Sequence, residues 1–468
     1  MNKQALARCL GFFSIVFASH TFALFEPLFE DGEWSAEFGA EWRYFNDPGE
    51  FGQEQHAISL SSRAEYYHEW NDGDDWFKFA PFLRVDAADS ERTHMDIQEG
   101  FWGHLGENWE TKLGVTRVFW GRTEFLNLVD VINQKDFVEG TTDAKLGQPL
   151  FHLSLVHDLG VFDFYTLIGF RERTFAGEDG RLRTPIVVDT DAARYGKGAS
   201  KSDIGFAARW AQPAGDYFEI ALSVFSGVGR EPFFAFNFDF QEPRLVPVYY
   251  HQEQFGLEVE FLYEGWVGKL EAIAVETQQL NYTAAVIGAE YTFGSVFDSA
   301  IDVTAIVEYL WDDRGELSPG FLEQDIGIGT RITFNDEFDS TMLIGGLIDP
   351  DTKEKIFQIE ASRRLDESWK IKASAAVVLE RGEVEVGQTN IESINNLLDS
   401  GVFGGDIDYQ FMLEWAIEVL QQNGIEVLTD PQFFLEPLQL LERLADTDRK
   451  ISILESDDYI QVELIYFF

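Results

Sequence analysis

The residues whose types and spacing could do chemistry in this chain are charged side chains at alternate positions of apolar runs. Arg43, Arg63, Lys78, Arg84, Lys112, Arg171, Arg209 and Arg331 are set this way, as are Glu37, Glu41, Glu65, Asp86, Asp163, Glu258, Glu260, Asp302 and Glu308. Residues two apart in an extended strand share a face, so each series puts charge on one face and leaves the other apolar. A charged face of that kind can hold polar solutes and sort them by charge. Hydrolytic chemistry would need a serine, a histidine and a polar partner grouped at a strand end, and His152, Ser154 and His157 show no such motif. We therefore expect no catalytic residue. The acidic run from Asp72 to Asp75 lacks the ligand spacing of a calcium loop and reads as a solvated turn, so no metal or other cofactor is expected.

The elements that must carry these charges are strands. Trp34, Ala36, Phe38, Ala40, Trp42 and Tyr44 alternate with Ser35, Glu37, Gly39, Glu41 and Arg43, and the same period of two returns at 255–263 and 301–311. A soluble sandwich also alternates, but the aromatic residues point to a different solvent. Trp34, Trp70, Trp109, Trp210, Trp266, Trp311 and Trp369 lie at or near strand ends, where amphipathic rings mark membrane interfaces.

Composition narrows the class further. The 43 Phe, 15 Tyr and 12 Trp accompany a formal charge of −47, which excludes a nucleic-acid binder. Residues 1–23 read as a secretory signal, with Lys3 and Arg8 before an apolar stretch and a small-residue cleavage site ending at Ala23. Its loss would remove two positive charges and take −47 to −49. Cys9, the sole cysteine, lies within that signal, so the mature chain holds neither disulfide nor thiolate site. No later segment has the roughly 18 consecutive apolar residues of a transmembrane helix.

The connections alternate in length. Tight ones fall at 71–75, 106–108, 158–160, 213–216, 264–265, 335–339 and 365–368, with longer ones at 121–149, 174–202, 229–251, 312–323 and 380–457. Short turns on one side and long loops on the other are what a membrane barrel needs when both termini lie on the short-turn side. The expected fold is all-β, a transmembrane antiparallel up-and-down barrel of about eighteen strands, with sixteen inside the boundary error. Pro81 interrupts the run 77–85 and predicts a bulge, because a closed barrel offers no free edge for a residue without an N–H.

The final run, Ile460, Val462, Leu464, Tyr466 and Phe468, alternates with Gln461 and Glu463 and ends on an aromatic. In this the chain resembles bacterial outer-membrane porin-like β-barrels, whose last strand ends the same way. The resemblance implies that Tyr466 and Phe468 serve as the signal read by the barrel-assembly machinery, and that the protein resides in the outer membrane of a Gram-negative bacterium. Arg117 to Arg122 (Arg-Val-Phe-Trp-Gly-Arg) also resembles the Gly-Arg strand end of alginate-export-type barrels, over these few residues alone. An acidic chain is a poor electrostatic match for an anionic polysaccharide.

Within the barrel (residues 24–468), the pore-lining candidates are Arg43, Arg63, Lys78, Arg84, Lys112, Arg171, Arg209, Glu258, Glu260, Asp302 and Glu308. Basic residues concentrate in the first half and carboxylates in 255–311, which predicts opposed walls or, without selectivity, a merely solvated lining. The connection 121–149 mixes Arg122, Glu124, Asp130, Asp136 and Glu139 with Phe125, Leu128, Val131 and Ile132. It reads either as a loop folded inward to constrict the lumen, in the sequence position of the inward third loop of many porins, or as an ordinary external loop. Residues 380–456 break the period of two, and apolar spacing around Phe411, Trp415 and Val419 predicts a helical insertion before the last strand. The leading expectation is passive diffusion of small polar or charged solutes through a monomer or homotrimer in outer-membrane lipid. The alternative is a barrel that binds a partner or aids assembly through its helical insertion.

Overall fold

A backbone in hydrocarbon must satisfy its own N–H and C=O groups, and strands do so only when their sheet closes on itself. A computed structural model describes residues 32–139, 144–184, 186–237, 244–315, 318, 323–380 and 456–468. The expected helical insertion at 380–456 falls almost wholly outside the described residues. Among them the chain forms β1 (Glu33–Phe45), β2 (His56–Trp70), β3 (Asp75–Asp86), β4 (His94–Leu105), β5 (Trp109–Thr116), β6 (Gln148–His157) and β7 (Gly160–Ile168). There follow β8 (Arg194–Tyr195), β9 (Ile204–Ala214), β10 (Phe218–Val228), β11 (Phe233–Phe236), β12 (Leu245–Tyr249), β13 (His251–Tyr263) and β14 (Trp266–Thr277). The last are β15 (Asn281–Phe293), β16 (Asp302–Asp312), β17 (Ile326–Thr333), β18 (Thr341–Ile348), β19 (Lys355–Arg364), β20 (Trp369–Glu380) and β21 (Tyr459–Phe467).

Eighteen of these strands make one antiparallel sheet, and β1 pairs with β2 on one side and with β21 on the other, so the sheet is a closed barrel. The number and the up-and-down order are those expected from the alternation. The short β8, β11 and β12 form a separate sheet on the long-loop side. Between Ala80 and Pro81 the register against β4 shifts, with Ala80 opposite Glu99 and Pro81 opposite Ile97, which is the bulge predicted at Pro81.

The outer face is apolar along its length: Ile58, Leu113, Phe206, Val224, Phe255, Ile287, Val307, Ile344 and Ile460 are all exposed. An exposed apolar surface that encircles a closed barrel is a lipid-facing one. Trp34, Trp70, Trp109, Trp266 and Trp369 ring the short-turn end, and several pair with tyrosines, as Trp34 does with Tyr66 and Trp369 with Tyr466 at centroid distances of 4.7 and 4.9 Å. Trp311 and Trp42 mark the other end.

The buried core lies inside the barrel, between one wall and residues 117–139 and 144–147 of the connection from β5 to β6. Trp120, Val129, Val131 and Ile132 of that connection pack on Leu150, Tyr165, Leu167, Phe225, Ile273 and Val275. A little further round, Leu126 and Leu128 pack on Val286 and Leu310. Each large apolar side chain buried here contributes on the order of 1.5–3 kcal/mol, which offsets part of the conformational entropy lost in ordering a long connection in the lumen.

Candidate functional site

The inner connection is fastened by carboxylates that the strands point inward. Glu271 on β14 accepts the backbone N–H groups of Arg122 (2.5 Å) and Thr123 (3.0 Å) on one oxygen and of Leu128 (2.7 Å) and Val129 (3.3 Å) on the other. Glu308 on β16 accepts those of Glu124 and Phe125 at 2.7 and 3.0 Å. A buried carboxylate with this many donors replaces its lost hydration, and the same bonds satisfy loop amides that have no ladder partner.

Side chains add to the hold. Arg122 pairs with Glu219, with Glu260 at 2.6 Å and with Glu258 at 3.5 Å, while Arg209 grips Glu258 with two bonds of 2.8 Å. Glu124 meets Arg331 at 2.5 Å. The Phe125 ring lies over Gly327, Gly329 and Gly345, where a Cβ at Gly327 would overlap it and one at Gly345 would come within 3.3 Å. Arg230, fully buried, donates to the carbonyls of Val131 (3.1 Å), Ile132 (2.8 Å) and Val228 (3.0 Å). Burial with no carboxylate beside it draws its guanidinium down to about 10. Burial also pushes Asp130 above the ordinary carboxylate range, against the pull of Lys145, with which it pairs.

The return limb of the connection reaches the opposite wall. Arg84 on β3 binds Glu139 at 2.7 Å, and Arg92 donates to the Val138 carbonyl at 2.9 Å. Around them Glu41 takes Arg92 at 2.7 Å, Arg84 at 3.3 Å and Arg43 at 3.7 Å, and Asp86 takes Arg92 at 2.9 Å. Burial works to lower the pKa of Arg92, but Glu41, Glu139 and Asp86 overcome it and hold the guanidinium above its usual value.

The sequence-derived candidates thus fall into distinct settings. Arg43, Arg84, Arg209, Glu258 and Glu308 are paired and largely covered, whereas Arg63, Lys78 and Lys112 stay partly exposed on the inner face beside Glu65, Glu99 and Glu110. Arg171 lies past the end of β7, bound to Asp96 at 2.8 Å and to the Gly147 carbonyl. Asp302 starts β16 at the short-turn end and accepts from Asn335 and Ser295. The Tyr466 ring packs at a tilt against Trp369, and Phe468 exchanges backbone bonds of 2.8 and 3.1 Å with Ala36. The same side of the barrel keeps an open cavity of about 420 Å³, lined by Arg331, Glu360, Lys372, Ser374, Gln461 and Glu463. Glu271, Arg92 and the glycine cradle were not among the candidates. A signal for Glu271 exists in β14, where Ile273 and Val275 follow it on the inner face and the outer face is apolar too.

No protein-family model matches the chain, and no curated protein matches it. Among solved structures it is similar to Pseudomonas aeruginosa OpdO, at 10% identity and a TM-score of 0.45, over 94% of this chain and 97% of that one. It is also similar to Pseudomonas aeruginosa OccK11 (OpdR), at 8% identity and a TM-score of 0.47 over 94% and 96%. The trimer form of Vibrio cholerae OmpT, an outer membrane protein, gives 8% identity and a TM-score of 0.40 over 93% and 99%. The likeness is one of overall shape. What establishes the fold of this chain is its own closed strand register.

Proposed function

We propose that this chain is an outer-membrane channel for passive diffusion of small polar or charged solutes, and that residues 117–147 form its constriction. The observation that carries this reading is the fastening of that connection across the lumen of a barrel with a lipid-facing exterior. An inert barrel would have no use for an inner loop bound through Glu271 and Glu308 on one wall and through Arg84 on the other. The loop narrows the lumen and leaves a polar passage on the side of Arg331, Lys372 and Glu463.

Mixed charge in that passage filters solutes, and the strongly acidic chain raises the local concentration of cations at its mouths. The decisive experiment is conductance of the refolded protein in planar bilayers, paired with vesicle swelling in neutral sugars. Discrete conductance steps with a cation-favouring reversal potential are expected. A correctly folded barrel that gave neither conductance nor swelling would overturn the proposal.

A further inference from the structure

The geometry points to a binding site for one divalent transition-metal ion of the zinc class, formed by His94 of the barrel wall with Asp136 and Glu139 of the inner loop. Nδ1 of His94 lies 3.1 Å from the carbonyl oxygen of Arg92. A carbonyl only accepts, so Nδ1 carries a proton, and when the ring is neutral Nε2 directs its lone pair at the two carboxylates. That Nε2 is buried and makes no hydrogen bond. It faces Oδ2 of Asp136 at 3.5 Å and Oε1 of Glu139 at 3.7 Å, and one ligand atom from each of the three residues lies within 4.8 Å of the others.

Three acceptors turned on one point repel each other unless a cation or a second ring proton sits among them. Donor atoms around a tetrahedral ion with bonds of roughly 2.0–2.2 Å stand about 3.3–3.6 Å apart, close to the two separations from His94 Nε2, 3.5 and 3.7 Å. One imidazole and two carboxylates are a donor set that zinc and its neighbours in the first transition row accept.

Outer contacts orient each ligand as metal sites require. The Arg92 carbonyl fixes the His94 tautomer, and the Phe82 ring packs on the imidazole at a centroid distance of 5.6 Å. Thr174 Oγ1 donates to Oδ1 of Asp136 at 2.6 Å, which leaves Oδ2 for the ion. Arg84 holds Glu139 through both oxygens, at 2.8 Å for Oε1 and 2.7 Å for Oε2, and each oxygen retains a second lone pair. The positive charge of Arg84 opposes a cation, and Glu41, which Arg84 shares with Arg92 and Arg43, offsets only part of it. The sequence by itself led to the expectation of no metal, because His94 stands 42 positions from Asp136 in no recognisable motif.

A bound ion would tie the return limb of the loop to the first residue of β4. The test uses the full refolded chain stripped with a chelator, with Co²⁺ as a spectroscopic probe and Zn²⁺ in calorimetry. The expected result is a visible Co²⁺ absorption band of low-coordinate form and one tight Zn²⁺ per chain. His94→Gln should abolish the band and, like Asp136→Asn, weaken Zn²⁺ by about tenfold or more, a loss that even removal of an outer partner brings. Heat-modifiable gel mobility checks that each variant is a folded barrel. A wild-type protein with no Co²⁺ band would overturn the proposal and leave a doubly protonated His94 between its two carboxylates. Zinc held equally well by both variants would also overturn it, by placing the ion on other carboxylates.

Discussion

The inner faces of β14–β16 and of β19–β21 occupy the same position in the pleat but face different surroundings. On the first wall Ile273, Val275, Val286, Ile306 and Leu310 point inward and are buried, and Glu271 and Glu308 among them are almost wholly covered. On the second, Glu360, Ser362, Lys372, Ser374, Gln461 and Glu463 line open space. An inward carboxylate is therefore a peg for loop amides on one wall and a charge presented to solute on the other. What separates the two roles is the apolar company each keeps along its own strand.

The largest effect that would break this comparison is at Glu271. Replacing Glu271 by Ala leaves four loop amides without their acceptor, at about 1–3 kcal/mol for each donor that stays buried and unsatisfied. Limited proteolysis should then cut within 117–147, and single-channel conductance should rise. If the loop stays protected and conductance is unchanged, Glu271 is no peg.

Next comes the outer face, where Ile287→Lys on β15 is expected to destabilise the barrel by about 2–4 kcal/mol in bilayers. Denaturant unfolding in vesicles measures it, and a neutral result would place Ile287 outside the lipid belt. A smaller change, about 1–3 kcal/mol of overpacking, is expected for Gly327→Val, because the new side chain would displace the Phe125 ring. Hydrogen exchange of the Phe125 amide should quicken, whereas an unaltered rate would mean that the ring is not seated there. The mildest is Lys372→Glu on the open wall. It should leave stability unchanged and move the reversal potential toward cations, most visibly at low salt. The same exchange at Arg84 should instead loosen the loop, and equal behaviour at the two sites would erase the distinction between the walls.

Much of the barrel was legible because a period of two survives wherever one face meets lipid. Eighteen strands, the alternation of short and long connections and the break at Pro81 all follow from side chains adjacent in sequence. The pairing of inward charges was not legible in the same way. Arg84 and Glu139 stand 55 residues apart, and Arg122 and Glu260 138 apart, so nothing local announces that these guanidinium groups are engaged. Nor does the alternation say which wall the loop covers. The one local trace is in β14 and β15, where Ile273, Val275 and Val286 make the inner face apolar as well.

The seam between β1 and β21 bears on how the molecule is made. Arg43 and Gln461, 418 residues apart, share a bond of 2.7 Å across it, and Ala36 is bonded to Phe468. Contacts of such separation are the slowest for a chain to find, because ordering must be complete before they reward it. Until β21 arrives, the edges of β1 and β20 remain unpaired and able to capture any passing strand. A ring closed through its first and last strands therefore keeps two edges open to mispairing until β21 has joined β1 and β20.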